Sequence, residues 1–306
     1  MRNISQIGAC RVMVAVGLLT ALAARAAEHP LVLQTDFGLK DGAVAAMRGV
    51  AAGVSPRLVI HDLSHENTPF DIWEAAYRLK QAAPFWPEGT VFVSVIDPGV
   101  GTERKSIVLK TRSGHFFVGP DNGTWTLIAE ELGVASVRAI DETRHRRRGS
   151  ELSYTFHGRD IFAYVGARLA AEAVAFEDVG PLLPPRVEMI AYEKPRRDGD
   201  AFVGMIPFLD FRYGNVWTNL DQALFAQFMP KVGERFRVTI SRGGKRVFAG
   251  DLPYARTFGD VPAGAPLLYL NSLLNVSFAL NVGDFAKKHG IGSGAEWTVR
   301  VERAKP

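Results

Sequence analysis

Short apolar runs alternate with stretches of helical spacing along the first half of the chain. Apolar runs of strand length cover residues 31–35, 57–63 and 90–96, and helical periodicity covers residues 42–52 and 71–83 between them. This β-α-β-α-β order predicts a mostly parallel sheet with helices packed on its faces. Ligands of such sheets bind at the carboxyl ends of the strands, so polar residues just after each run are the first candidates for a site.

The second half of the chain follows a different pattern. Residues 193–200 are charged and contain Pro195 and Gly199, which predicts a linker. Beyond it, short β-rich runs separated by Gly, Pro and Asn predict an all-β barrel or sandwich. We therefore predict an N-terminal α/β sandwich domain, residues 28–192, followed by a C-terminal β-barrel domain, residues 201–306. The β-rich runs are residues 202–206, 236–240, 266–270, 276–280 and 297–301.

The first 27 residues have the order of a secretory signal peptide. Arg2 and Arg11 precede an uncharged apolar run, residues 12–24, and the small residues Ala24 and Ala26 fit a signal-peptidase site. The run has thirteen residues, whereas a membrane span needs roughly 20, so no stable membrane anchor is predicted. Residues 1–27 thus predict export to the periplasm or the exterior. A buried first helix and a start codon assigned too far upstream are the alternatives.

Composition and charge narrow the possible partners. The chain has 306 residues, of which 47% are hydrophobic and 22% charged, and this excludes an intrinsically disordered protein. A net charge of +4 favours a polyanionic partner, but three arginines belong to the predicted signal peptide, and its removal leaves +1. We therefore predict no nucleic-acid partner. Cys10 is the single cysteine and precedes the apolar run, so a disulfide framework and an all-cysteine metal site are excluded.

Residues that could bind a ligand or take part in catalysis occur in clusters that combine carboxylates, amides or imidazole with glycine. Asp36 directly follows the first predicted strand, where a carboxylate can accept hydrogen bonds from both hydroxyls of a ribose. A helix N-cap is an equally good interpretation of Asp36. The clusters are residues 35–41, 97–104, 119–123, 155–160 and 210–219.

The segment DPGVGTER predicts a tight turn. Pro98, Gly99 and Gly101 favour sharp backbone reversal, which can bring Asp97 and Arg104 together. Such a pair beside an imidazole, for which His157 is the candidate, could orient and activate a water molecule. A structural ion pair that braces the loop, with a structural histidine, is the simpler interpretation of these residues alone.

Several common catalytic motifs are absent from the sequence. No G-x-G-x-x-G follows the first strand, and no G-x-x-x-x-G-K-[ST], G-x-S-x-G or H-E-x-x-H occurs. These absences argue against dinucleotide, P-loop, serine hydrolase and zinc protease sites. No histidine pair has metal-ligand spacing, so we predict neither a metal nor a cofactor. The basic run of residues 144–148, RHRRR, predicts a solvated loop, with a phosphate-binding patch as the alternative.

Eight motifs in register resemble the S-adenosyl-L-methionine (SAM) hydroxide adenosyltransferase family, relatives of the fluorinating and chlorinating enzymes that use the same substrate. The resemblance runs from about Leu31 to Val301. The motifs are TDFGLKD (35–41), TPFD (68–71), FWPEGT (85–90), VIDPGVGTER (95–104), VGPDNG (118–123), TFHGRDIF (155–162), GNVWTN (214–219) and YLNS (269–272).

The resemblance implies a fold, an assembly and a reaction. It implies an N-terminal α/β domain, a C-terminal β-barrel and a homotrimer with active sites between subunits. It also implies hydrolysis of SAM at the ribose C5′ carbon by an activated water, giving adenosine and L-methionine. The same resemblance implies that Asp97, Arg104 and His157 activate the water and that Asp36 binds the ribose hydroxyls. It implies that Asp210 binds the methionine amino group and Ser272 the methionine carboxylate. It also implies that Asn215 and Phe258 contact the adenine.

This chain departs from the pattern of the family at positions that bear on the choice of nucleophile and in one turn. The halogen-using relatives carry tyrosine and threonine where this chain has Asp97 and Val100, and serine in place of Gly158. This difference favours water. After YLNS, the chain continues Leu273-Leu274-Asn275, where the family usually has Asn-Ser-Phe-Gly or Asn-Ser-Arg-Gly. An exported nucleoside-binding or sensing protein without turnover, and a halide-dependent SAM 5′-halogenase, are the alternative functions.

Overall fold

The computed structural model of the chain describes residues 28–305. The predicted signal peptide, residues 1–27, lies outside the described residues. Within 28–305, no helix has the length and apolar character that a bilayer-spanning helix needs.

A seven-stranded sheet forms the N-terminal half, in the order β2-β1-β3-β5-β4-β6-β7. Strands β2, β1, β3 and β5 pair in parallel, whereas β4, β6 and β7 join the sheet antiparallel. The prediction of a mostly parallel sheet therefore holds for one side only. Four residues connect β4 to β5, too few for a crossover between parallel strands. The strands are β1 (Leu31–Thr35), β2 (Ile60–Ser64), β3 (Val91–Val95), β4 (Ser106–Thr111), β5 (Phe116–Pro120), β6 (Val134–Ala139) and β7 (Leu182–Leu183).

Helices cover both faces of this sheet. Leu31 and Leu33 of β1 face one apolar cluster, and Val32 between them faces another, as the alternation of a strand with two buried faces requires. Helices α1 and α5 pack on the first face, and α2 and α3 on the second. Gly166 lets α5 approach β3, since a Cβ there would overlap Val93. The helices are α1 (Ala43–Val54), α2 (Ile72–Ala82), α3 (Thr126–Leu132), α4 (Glu142–His145) and α5 (Tyr164–Ala170), the last preceded by a π-helical segment, Gly158–Ala163.

Two antiparallel sheets form the C-terminal half, in the orders β10-β11-β15-β14 and β13-β12-β16-β9-β8. They share one apolar core that includes Phe202, Ile240 and Phe278. The chain is thus a mixed α/β protein with antiparallel sheets in its second half, and the distinct barrel predicted from the sequence is not confirmed. Within the predicted linker, Arg196–Asp198 forms edge strand β8. The remaining elements are β9 (Ala201–Ile206), β10 (Phe208–Asp210), β11 (Asn215–Asp221), α6 (Gln222–Ala226), β12 (Arg235–Arg242), β13 (Lys245–Pro253), β14 (Pro266–Leu270), β15 (Asn275–Leu280), α7 (Phe285–His289) and β16 (Gly294–Arg303).

An aromatic cluster joins the two halves. Tyr77 of α2 stacks on Phe208 of β10 with ring centroids 5.0 Å apart, and Trp217 packs against both rings. Trp73 Nε1 donates a hydrogen bond to the carbonyl of Pro207 at 3.0 Å. These contacts fix the orientation of the C-terminal sheets against the N-terminal sheet.

Candidate active site

A cavity of about 270 Å³ opens at the carboxyl ends of β1 and β3. Asp36 follows the last residue of β1, and Asp97 lies two residues beyond the end of β3. His157 reaches the same cavity from the turn that precedes the π-helical segment. Asp36 and Asp97, which follow two neighbouring strands, thus meet at one sheet edge as predicted, and His157 joins them from a different segment.

The turn at residues 97–104 brings Asp97 and Arg104 into a bidentate ion pair. Arg104 Nη2 donates to Asp97 Oδ2 at 2.5 Å, and Arg104 Nε lies 3.0 and 3.1 Å from the two carboxylate oxygens. The Gly99 amide donates to Asp97 Oδ1 at 3.2 Å, and Gly101 takes the left-handed conformation that glycine favours, with φ +78°. The side chains of Asp97 and Arg104 are only 5% and 10% exposed, so the carboxylate is held in one orientation.

His157 completes the cluster and is itself buried. Arg104 Nη2 lies 3.0 Å from His157 Nδ1. A guanidinium can only donate, so Nδ1 carries the lone pair and the ring is neutral. Burial lowers the pKa of His157, and the charges of Arg104 and Arg146 lower it further, against the opposing effects of Glu142 and Asp97. The ring therefore stays neutral to more acidic pH than an exposed histidine does.

Asp36 is held by the loop opposite Asp97. Its Oδ2 accepts a hydrogen bond from the Phe70 amide at 2.9 Å. It does not cap a helix, because Gly42 is the N-cap residue of α1 and Asp41 Oδ1 accepts from the Ala43 amide at 2.9 Å. The structure thus excludes the capping interpretation and leaves Asp36 lining the cavity beside Asp97 and His157.

Buried polar residues anchor the loop that carries Asp36. Thr35 Oγ1 lies 2.8 Å from His65 Nδ1, and Asn67 Nδ2 donates to the Thr35 carbonyl at 2.8 Å. Burial lowers the pKa of His65 to about 4, so this histidine stays neutral and serves the loop rather than the reaction.

A second cavity of about 750 Å³ lies among the C-terminal sheets. All four of the remaining predicted residues line it: Asp210, Asn215, Phe258 and Ser272. Asn215 Nδ2 donates to Asp210 Oδ2 at 3.1 Å across the turn between β10 and β11. Of the four, Phe258 and Ser272 are exposed, Asp210 is half-buried, and Asn215 is the most deeply buried.

Glycine is required in the turn that joins Asp210 to Asn215. Gly214 has φ +67°, and a Cβ at this position would overlap the carboxylate of Asp284. Asp284 caps α7 by accepting from the Lys287 amide at 2.7 Å. The glycine of the GNVWTN motif therefore lets two carboxylate-bearing loops meet at this cavity.

Two buried aromatic side chains of the second cavity were missed by the sequence analysis. Trp217 and Tyr269 line it together with Phe258, whose ring centroid lies 5.0 Å from that of Tyr269. Burial raises the pKa of Tyr269 to about 12, so its hydroxyl stays protonated. Flat aromatic walls suit a planar heterocycle. The motifs GNVWTN and YLNS contain these two residues and were the available signal.

The eight predicted residues thus fall into two sets. Asp36, Asp97 and His157 line the first cavity, and Arg104, which does not line it, contacts both Asp97 and His157. The other four converge at the second. The two cavities of one chain share no lining residue, so the fold of a single chain does not bring the two sets into one pocket.

The turn after YLNS adopts a strained conformation. Asn271 Oδ1 accepts from the amides of Leu273 and Asn275 at 2.9 and 3.0 Å, which fixes the turn, and Leu274 takes φ +58°. A left-handed conformation costs a non-glycine residue roughly 1–2 kcal/mol.

The Leu274→Gly variant is expected to raise the free energy of unfolding by about 0.5–1 kcal/mol, because the relief of strain exceeds the added chain entropy of glycine. The Leu274 side chain is 55% exposed, so little burial is lost. Denaturant unfolding of the two proteins measures the difference. Leu273→Gly is the matched control, expected to destabilise, since Leu273 is half-buried and has no positive φ. A Leu274→Gly protein less stable than the wild type would contradict the assignment of strain.

Within residues 28–305, no three His, Cys, Asp or Glu side chains are grouped so that they could hold a metal ion. At the first cavity, the Asp97 carboxylate and the neutral His157 imidazole instead both contact the Arg104 guanidinium. This set can hold and polarise a water molecule beside a ligand whose hydroxyls bind Asp36.

Comparison with known proteins supports this description. The family model of the SAM hydroxide adenosyltransferase N-terminal domain matches residues 31–180, and that of the C-terminal domain matches residues 204–298. A Thermus thermophilus protein named (R)-S-adenosyl-L-methionine hydrolase is 35% identical over 271 residues, covering 87% of this chain and 97% of that protein. A Methanocaldococcus jannaschii protein of the same name is 47% identical over 143 residues. That match spans 45% of this chain and 52%, about half, of that protein's length.

More distant enzymes and a solved structure extend the comparison. A fluorinase from an Actinoplanes species is 27% identical over 298 residues, covering 89% of this chain and 97% of that enzyme. The crystal structure of an uncharacterized conserved protein from Thermotoga maritima superposes with a TM-score of 0.82 at 35% identity, over 89% of this chain and all of that one. Both domain models match in order, and the Thermus relative aligns along nearly its whole length; the chain therefore belongs to the SAM hydroxide adenosyltransferase family.

Proposed function

We propose that this protein hydrolyses S-adenosyl-L-methionine at the ribose C5′ carbon, giving adenosine and L-methionine. The observation that carries the proposal is that Asp36, Asp97 and His157 line one cavity while Arg104 contacts both Asp97 and His157. The relatives named SAM hydrolases, at 35–47% identity, support it.

The reaction determines what the site must supply. Water attacks C5′ as the C5′–S bond breaks, the electron pair of that bond leaves with sulfur as a neutral thioether, and the water loses one proton. A sulfonium leaving group needs no general acid, so catalysis consists of orienting the water in line with sulfur and assisting its deprotonation. The Asp97 carboxylate, held by Arg104, retains lone pairs that can accept from this water.

The same geometry favours water over a halide ion as nucleophile. A halide at this position would lie beside the Asp97 carboxylate, and two anions repel each other in a poorly solvated cavity. Water, in contrast, donates a hydrogen bond to a carboxylate. A serine hydroxyl to hold a halide is also missing at Gly158, where a Cβ would lie 3.3 Å from the Phe37 ring and from Val95.

The size of the two cavities supports an assembly in which the substrate spans two subunits. Ligands of drug-like size occupy pockets of roughly 300–1,000 Å³, and the first cavity has about 270 Å³, which suffices for only part of SAM. We infer that the first cavity of one subunit meets the second cavity of its neighbour, in a homotrimer. Exposed apolar side chains at both rims support this: Phe70 and Val100 at the first, and Tyr213, Phe258 and Val282 at the second.

In such an assembly, the ribose hydroxyls bind Asp36 and the adenine lies among Asn215, Phe258 and Trp217. Asp210 faces the methionine amino group, and Ser272 faces the carboxylate. The positive sulfonium then lies near the first cavity, whose Asp36 and Asp97 are acidic.

Chromatographic measurement of products tests the function. Purified protein incubated with SAM is expected to release adenosine and methionine in equal amounts, with no 5′-halogenated nucleoside when chloride or fluoride is added. Adenosine that raises the melting temperature without any product from SAM would instead establish a nucleoside-binding protein. Halogenated product would establish a halogenase.

We further propose that the protein acts outside the cytoplasm, because residues 1–27 have the order of a signal peptide. Mass spectrometry of the mature amino terminus checks this. A mature chain that still begins at Met1 would overturn it.

A further inference from the structure

The basic run at residues 144–148 is only partly solvated. Arg144 and Arg148 are exposed, as the sequence predicts, but the side chain of Arg146 is 8% exposed. Arg147 pairs with the buried carboxylate of Asp160 at 3.0 Å. The prediction of a solvated loop is therefore wrong for Arg146 and for His145, which is also buried, whereas Arg147 is partly exposed.

Arg146 lies against the side of His157 that faces away from Arg104. Its Nη2 is 3.4 Å from His157 Nε2, and its guanidinium covers the Tyr154 ring at 4.4 Å. Its Nη1 is buried and has no hydrogen-bond partner in the described chain. A buried guanidinium with an unsatisfied donor lowers stability, and such groups are concentrated at functional sites.

Glu142 links Arg146 to the other side of the cluster. Glu142 Oε2 lies 3.5 Å from Arg146 Nη2, and its Oε1 accepts from the Ser106 hydroxyl at 2.7 Å. Ser106 in turn accepts from Arg104 Nη1 at 2.8 Å. The chain of contacts therefore closes into a ring that runs from Arg104 through Ser106, Glu142 and Arg146 to His157, and back to Arg104.

We propose that Glu142 and Arg146 are positioning residues of the hydrolytic site: Glu142 holds Arg104 in place through Ser106, and Arg146 keeps His157 neutral. The proposal rests on the proposed function. Neither residue lines the cavity that holds Asp97 and His157, so both act through the residues that do.

The charges around His157 explain how this works. Both ring nitrogens face guanidinium groups, which have no acceptor, so an imidazolium would direct two N–H groups at two cations. Arg104 and Arg146 therefore oppose protonation, whereas the carboxylates of Glu142 and Asp97 favour it. The closed network of contacts that contains Glu142 and Arg146 thus sets the balance between neutral and protonated His157. Arg146 opposes protonation, and Glu142 favours it.

Removing either charge should shift the titration of His157 in opposite directions. Arg146→Met removes a cation, so the pKa of His157 should rise, and Glu142→Gln removes an anion, so the pKa of His157 should fall. Activity that requires the neutral ring is lost as pH falls through this pKa. The acidic limb of kcat should therefore move to higher pH in Arg146→Met and to lower pH in Glu142→Gln.

NMR titration of the His157 ring, assigned with His157→Gln, and the pH profile of kcat test the proposal on the full chain. Arg148→Met, the same substitution at an exposed position of the same run, should leave both unchanged. Arg146→Lys keeps the charge and should restore the wild-type profile if Arg146→Met folds poorly. Shifts of the same sign in the two charge variants, no shift, or a His157 shift with an unmoved kcat profile would each overturn the proposal. Absence of turnover in the wild type would instead refute the hydrolase function, and the NMR arm would still decide how the charges act on His157.

Discussion

Asp97→Asn is expected to lower kcat for SAM hydrolysis by about 10²- to 10⁴-fold, the range that base assistance contributes. Asparagine keeps the shape of aspartate but has one acceptor oxygen in place of two. Arg104 already donates to both oxygens of Asp97, so the amide would leave one guanidinium donor facing an NH₂ group and would offer less to the water. In the proposed mode of binding, Asp36 and the second cavity hold the substrate, so KM should change far less than kcat.

Adenosine release at saturating SAM measures the effect of Asp97→Asn. Asp41→Asn is the matched control, because Asp41 follows the same strand but caps the start of α1 and does not line the cavity. A melting temperature close to that of the wild type shows that the variant is folded. Full turnover by Asp97→Asn would remove the central residue of the proposed mechanism.

Two inactive variants are expected to restore each other's activity when they are co-assembled. One variant carries Asp97→Asn in the first cavity, and the other carries Asp210→Ala with Asn215→Ala in the second. If each site combines the first cavity of one subunit with the second of its neighbour, about one interface in four of a random mixed trimer joins two intact halves. Co-expressed protein should therefore show about a quarter of the wild-type activity, from two parents that are each nearly inactive.

The control for this experiment places both changes in the same cavity. Co-assembly of Asp97→Asn with His157→Gln should recover nothing, since every interface then lacks an intact first cavity. Size-exclusion chromatography with light scattering establishes the oligomer in each mixture. Lack of recovery in a confirmed mixed oligomer would show that each site lies within one chain, and the proposed interfacial arrangement would be wrong.

The sequence by itself determined the features that depend on neighbouring residues. The unbroken apolar run of Leu31, Val32 and Leu33 specifies a strand buried on both faces, because successive side chains of a strand point to its two opposite sides. Pro98, Gly99 and Gly101 specify the turn that pairs Asp97 with Arg104, only seven residues apart. The motifs in register were sufficient to select the family and six of the eight candidate residues, whereas Asp210 and Phe258 lie outside them.

Only the tertiary structure decided what depends on contacts between distant segments. His157 reaches Arg104 across 53 residues of sequence, and nothing in its local composition distinguishes it from a structural histidine. Arg146 looks like a solvated residue in RHRRR, and its burial against His157 follows from packing that periodicity does not encode. The separation of the site into two cavities has the same origin, because the relative placement of two halves of a chain is set by non-local apolar contacts such as that of Tyr77 with Phe208.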